Sequence, residues 1–134
     1  MKLFSGFKKQ KESNENKESF FKWVDSALNC EIPNNTKAFC FNLYEDTDSK
    51  WSIELIGASK YDKENDDWAC EETFATRKNP FVITKESDWN EIRELFIRWL
   101  KEYLDCGNMA YVLKQYEAVG IGFVDGDLTI LYEG

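Results

Sequence analysis

Residues 118–132, AVGIGFVDGDLTILY, set two apolar runs on either side of Asp125-Gly126. Asp-Gly is favoured in the two-residue type I′ hairpin turn, whose central residues both take positive φ. Such a turn predicts a register of Phe123 opposite Leu128, Ile121 opposite Ile130 and Val119 opposite Tyr132, with all six side chains on one core-facing side. Gly120, Gly122, Thr129 and Leu131 fall on the other side, where small residues leave room for a core element or a partner. A second alternation occupies 37–44, KAFCFNLY, with Phe39, Phe41 and Leu43 on one face and Ala38, Cys40 and Asn42 on the other. It resumes in 51–61 with Trp51, Ile53 and Leu55 on one face and Ser52, Glu54 and Ile56 on the other, which predicts a hairpin with a loose polar loop over 45–50. Gly57 reads as a bulge or strand end. Residues 68–75 suggest a third strand on a weaker pattern that also fits a helix. Phe81-Val82-Ile83, just after Pro80, suits a short edge segment.

Helical spacing appears twice. Phe20, Val24, Ala27 and Leu28 make a stripe with Trp23 on its flank, and Ser19 is placed to cap a helix running to Asn29. Trp89, Ile92, Phe96, Trp99, Leu100 and Tyr103 make a longer stripe. Asp88 and Glu91 have the capping-box spacing, Glu94 and Arg98 are four apart on the wet side, and Gly107 supplies the stop. A short helix over 109–115 leads into the last hairpin.

The order of elements predicts an α+β domain: a mainly antiparallel sheet of about five strands, two hairpins plus a third central strand, packed by two main helices. Residues 19–134 read as one domain, and residues 1–18, rich in Lys, Glu, Asn and Ser, as a flexible leader.

Charge adds a direction to this picture. The net charge is −8, yet residues 1–18 carry five Lys against three Glu, leaving −10 on the rest. An acidic body disfavours nucleic acid and anionic membrane as partners, because phosphate binding needs clustered cations. It suits solubility or a basic protein partner. The four cysteines, Cys30, Cys40, Cys70 and Cys106, form no C-x-x-C pair, and Leu3-Phe4 is too short for the apolar core of a secretory signal. Reduced thiols in a cytoplasmic protein are the expectation, with Cys40 and Cys70 as small buried hydrophobes.

The chain has no histidine, which removes Ser-His-Asp and Cys-His nucleophilic systems and the usual His-containing zinc sites. Gly120-x-Gly122 lacks the third glycine and the following helix of a dinucleotide loop. Asp46-x-Asp48 lacks the glycine and terminal glutamate of a calcium loop. Carboxylates remain. Asp62, Glu64, Asp66, Asp67, Glu71 and Glu72 set six acids against one lysine in eleven residues, with Trp68 among them. Three readings stay open: a solvated acidic loop, an acidic protein-binding surface, or carboxylate chemistry with an oxygen-ligated metal such as Mg²⁺. The candidate partner-binding set is Glu45, Asp46, Asp48, Asp62, Glu64, Asp66, Asp67, Trp68, Glu71 and Glu72, with Trp68 expected exposed and Trp89 and Trp99 in the core. No catalytic residue, metal ligand or cofactor is assigned.

Three segments, Trp51-Ser-Ile-Glu-Leu-Ile-Gly57, Asp67-Trp-Ala-Cys-Glu71 and Val119-Gly-Ile-Gly-Phe-Val-Asp-Gly-Asp127, resemble those of small acidic bacterial cytoplasmic proteins encoded in polymorphic-toxin or contact-dependent inhibition loci. The resemblance covers residues 37–134. It implies an immunity protein that neutralises a cognate toxin by binding it, without an active site, and an acidic one suits a basic, nuclease-like toxin. The alternatives are a carboxylate-based or Mg²⁺-dependent enzyme and an accessory or structural protein.

Overall fold

The computed structural model describes residues 16–134. Helix α1 (16–28) is followed by β1 (Ala38–Thr47), β2 (Lys50–Ala58), a 3-10 turn of helix (Asp66–Cys70), β3 (Glu72–Ala75), β4 (Phe81–Thr84), α2 (Trp89–Cys106), α3 (Ala110–Leu113), β5 (Ala118–Phe123) and β6 (Thr129–Glu133). The expected leader falls outside the described residues over 1–15. Its last three residues are helical instead: Ser19 lies inside α1, and Lys17 pairs with Glu102 of α2 at 3.1 Å.

The class is α+β, but the sheet is mixed and has six strands in the order β3-β2-β1-β5-β6, with β4 also on β2. β1 and β2 form the expected antiparallel hairpin, Phe41 opposite Leu55 and Leu43 opposite Ile53. The loop is tighter than expected, because the strands run on to Thr47 and Lys50 through a bulge and close on Asp48-Ser49 with Ser49 at φ 64°. β1 also pairs in parallel with β5, Phe39 beside Val119 and Leu43 beside Phe123. A parallel pair needs a long crossover, supplied here by everything from β2 to α3. Flanked on both sides, β1 is buried on both faces over Ala38–Phe41. The third strand is not central: β3 and β4 share one edge of β2, β3 at Ile56–Ala58 and β4 at Lys50–Ile53, and Pro80 sits between them.

One face of the sheet carries the main core. Phe39, Phe41, Leu43, Trp51, Ile53, Leu55, Val119 and Ile121 meet Phe20, Val24 and Leu28 of α1 and the stripe of α2 from Ile92 to Leu104. Phe20 stacks edge-on to Phe96 at 5.2 Å and lies 5.8 Å from Trp99. Asp88 caps α2 by accepting from the Glu91 amide at 2.8 Å, while Glu91 bonds Ser87 rather than closing the box. Glu94 pairs with Arg93 at 3.6 Å, not with Arg98. Gly107 ends the helix in an extended conformation, φ −68° and ψ 151°. A Cβ there would lie 2.5 Å from the Tyr103 ring.

The opposite face holds a second, smaller core built on Trp68. Its indole, 1% exposed, lies over Ala38, Cys40, Ile56, Ala58 and Ala118, with Tyr61 edge-on at 5.3 Å. Small side chains make that space, and a Cβ on Gly120 would already touch the ring at 3.4 Å. This corrects the reading of Trp68 as exposed, and of the two occupants expected for the Gly120/Gly122 face, a core element or a partner, it is the core that covers it. Trp99 is buried as expected, whereas Trp89, at the first turn of α2, is 56% exposed. Cys40 is buried, but Cys70 lies exposed in the 3-10 turn; all four thiols are free.

The final hairpin forms with a different turn and register. Val119 does pair with Tyr132, but a bulge then sets Gly120 opposite Ile130 and Ile121 opposite Thr129. Ile130 and Leu128 therefore pack on the Trp68 side, while Tyr132 stays with the main core. No described glycine has positive φ, so type I′ is not adopted; Gly126 N–H donates to Phe123 O at 2.9 Å instead. Tertiary bonds override the local turn preference. Leu128 N–H donates to the Asp66 carboxylate at 3.0 Å, and the loop folds so closely over Gly122 that a Cβ there would stand 2.6 Å from Asp127 O.

Candidate functional site

Trp68 and its neighbours cover only part of the second face. The remainder, at the carboxyl end of the parallel pair β1/β5, is polar and open. Two adjoining hollows lie there, of about 360 and 420 Å³, sharing Tyr44 and Arg77. Asp66, Asp67 and Glu72 border the first together with Phe123 and Val124. Asp46, Ser52, Glu54, Lys50 and Val82 border the second. Five carboxylates thus face two cations across the pair.

Glu54 is the unusual residue. Its place in β2 points it away from the main core and under the segment that carries Arg77, so its carboxylate is 1% exposed. Tyr44 Oη donates to Glu54 Oε2, and Arg77 Nε donates to the same oxygen at 3.4 Å. Arg77 Nη2 lies 3.1 Å from Oε1 without hydrogen-bond alignment, leaving that oxygen without a hydrogen-bond partner. The same nitrogen bonds Glu72 Oε2 at 2.7 Å. Burial, then the Glu54 hydrogen bond and charge, push the Tyr44 phenol up to about 12. The Glu72 bond and the Glu54 charge likewise raise Arg77. At neutral pH the phenol is therefore protonated and the guanidinium charged, so the cluster acts through hydrogen bonds and charge.

The structure disperses the expected residues over several places, and only four of them meet. Asp46, Asp66, Asp67 and Glu72 converge on the hollows. Asp46 also accepts from Ser52 Oγ at 3.2 Å, and Asp66 holds the β5–β6 loop through Leu128. Glu45 and Asp48 are exposed at the β1–β2 turn, while Asp62 and Glu64 lie in the loop beyond the other end of β2, where Asp62 accepts from the Glu64 amide at 2.9 Å. Trp68 is buried, and Glu71 is exposed beside β3. Among the described residues no group of three or more Cys, Asp or Glu is arranged to hold a metal ion, and no helix is long and apolar enough to cross a membrane.

The sequence pattern passed over Tyr44, Glu54 and Arg77. Glu54 was visible as a lone acid inside the apolar run WSIELIGA, which asks for a partner at whatever depth the strand is buried. Nothing in the sequence placed Arg77 over it.

The apolar border was also not anticipated. Among the described residues the exposed large hydrophobic side chains are Val82, Trp89, Tyr111 and Val124. Val82 borders the second hollow and Val124 the first, whereas Trp89 stands on the helix side of the sheet, edge-on at 6.4 Å to Phe123, whose ring packs against the main core. Arg93 stacks over the Trp89 ring at 5.3 Å. No family model matches the chain, and no curated protein or solved structure matches it.

Proposed function

We propose that this chain is a binding protein that neutralises a cognate, basic toxin domain by occupying it, as an immunity protein does. The observation that carries this reading is convergence. Asp46, Asp66, Asp67 and Glu72 meet the exposed Val82 and Val124 at one end of one sheet face. Exposed apolar anchors in a mostly acidic surround that also presents Tyr44 and Arg77 have the composition of a protein interface, in which Trp, Tyr and Arg contribute most of the affinity. The acidic rim would speed encounter with a basic partner and make the on-rate fall with salt. A tyrosine held near 12 is poorly matched to proton transfer at neutral pH, which favours binding over general acid–base chemistry at this cluster. The resemblance of residues 37–134 to immunity proteins points the same way. The experiment is co-expression with the toxin-like product of a neighbouring gene. Growth protected by the chain is the expected result, and unprotected growth with both proteins folded contradicts the reading.

A further inference from the structure

We propose that Glu54 is the socket for one arginine of the protein partner, which takes Arg77's place on the buried carboxylate while Arg77 remains on Glu72. This inference rests on the binding reading above and specifies what the hollow receives.

A carboxylate has about four acceptor positions, and a buried one is stable only when they are filled by well-aligned donors. Glu54 falls short of that. Its Oε2 is served by Tyr44 and a long contact to Arg77 Nε, and its Oε1 has no hydrogen bond at all. Arg77 Nη2 directs its shorter contact, 2.7 Å against 3.1 Å, to Glu72, and its approach to Oε1 is not aligned as a hydrogen bond. Arg77 is also 55% exposed, so it covers Glu54 from the solvent side and can swing outward with little loss of packing. The opening it would leave is bordered by Asp46 and Ser52 Oγ, both able to accept from a guanidinium that has reached Glu54.

The shape of the vacancy selects arginine over lysine. Oε1 and Oε2 of one carboxylate match the forked donors of a guanidinium, two parallel N–H bonds at once, whereas an ammonium fills one position as a point charge. The acidic surround raises the local concentration of either cation, so charge alone does not discriminate. A free guanidinium compound carries the same donors, but the neighbouring exposed Val82 and Val124 favour an arginine presented on a protein surface, whose apolar neighbours bury them.

The test is a calorimetric titration of the full chain with two peptides, Ac-Trp-Arg-Leu-NH2 and Ac-Trp-Lys-Leu-NH2, and with N-acetylarginine amide. The arginine peptide is expected to bind at least tenfold tighter than the lysine peptide and than the free amide. In Glu54→Gln the arginine-to-lysine ratio should fall to about one. In Asp46→Asn, which removes the same charge from the same hollow, the ratio should persist while both affinities weaken. The ratio is read within each variant, so a change in stability does not move it. Arg77→Ala should bind the arginine peptide more tightly, and if that variant does not fold, Arg77→Lys, whose ammonium has no fork, should show the same direction. An arginine preference that survives Glu54→Gln overturns the socket, and equal binding of free amide and peptide overturns the protein source. Should the socket fail while reversal of Asp46 and Asp67 still abolishes capture of the toxin domain, the binding function stands without it; loss of neither removes both.

Discussion

Replacing Trp68 with alanine tests whether the second core is a structural necessity. The indole is 1% exposed and is the largest side chain of that core, lying over Ala38, Cys40, Ala58 and Ala118, whose short side chains cannot refill its space. Burial of a Trp removes roughly 150–250 Å² from water, about 4–6 kcal/mol at 25 cal/mol per Å². Measured Trp-to-Ala losses run about 3–5 kcal/mol, so a fall of about 4 kcal/mol is expected, or roughly 10–20 °C in Tm for a domain of this size. The indole N–H has no hydrogen-bond partner, so Trp68→Phe forfeits no bond and should lose only about 1 kcal/mol. Trp89→Ala, at an exposed ring, should lose no more than about 1 kcal/mol. Urea unfolding followed by far-ultraviolet circular dichroism measures all three without relying on tryptophan emission. A Trp68→Ala loss below about 1.5 kcal/mol, or a Trp68→Phe loss equal to it, would refute the reasoning.

Two further outcomes follow from the same geometry. Burial first, and then neighbouring acids, push the Cys40 thiol, the Tyr44 phenol and the Tyr61 phenol each up to about 12, from ordinary values of 9.0 for the thiol and 10.0 for the phenols. Because the folded values are raised, this stability is complete below pH 9 and is lost as pH climbs towards 12. The urea midpoint should therefore hold to pH 9 and fall above it, with part of the fall absent in Cys40→Ala; a flat midpoint to pH 11, with every tyrosine titrating near 10 at 295 nm, is the contrary result. Gly107→Ala should destabilise by about 1–3 kcal/mol, since the new methyl meets a Tyr103 ring that cannot swing aside: its hydroxyl donates to Asp25 at 2.5 Å and accepts from the Met109 amide at 3.0 Å. A Tm within 1 °C of wild type would show that the ring moves freely.

Local periodicity carried the main core into view because each element there is amphipathic in its own right. Phe39, Phe41 and Leu43 alternate, Ile92 through Leu104 recur at helical spacing, and each pattern names its buried face without reference to any other element. What lay beyond reach depended on which elements become neighbours. Nothing local to Ala38–Thr47 says that Ala118–Phe123 will lie beside it in parallel, or that Asp66 will pull the β5–β6 loop out of the turn that Asp125-Gly126 prefers. Trp68 and Trp89 exchanged their expected places for the same reason. Acids surround Trp68 in sequence, yet Ala38, Cys40, Ala58 and Gly120 on distant strands leave room for it, while Trp89 begins α2 beyond the sheet that would have covered it. For the candidate site, the acids at 46, 66, 67 and 72 were legible from their density. The Tyr44–Glu54–Arg77 cluster was not, because it is assembled from two strands and the segment between β3 and β4.

The most direct measurement of the proposed function is the affinity of the purified chain for the isolated toxin domain, wild type against the triple variant Asp46→Lys, Asp67→Lys, Val124→Ala. All three residues are exposed, so the fold should hold. The on-rate of the wild type should fall as salt rises from 50 to 300 mM, on the order of tenfold for a steered encounter. The triple variant should lose at least about 3 kcal/mol of binding, roughly a hundredfold or more in Kd. A folded triple variant that binds with wild-type affinity, at low salt and at high, contradicts the assignment of this face as the binding surface.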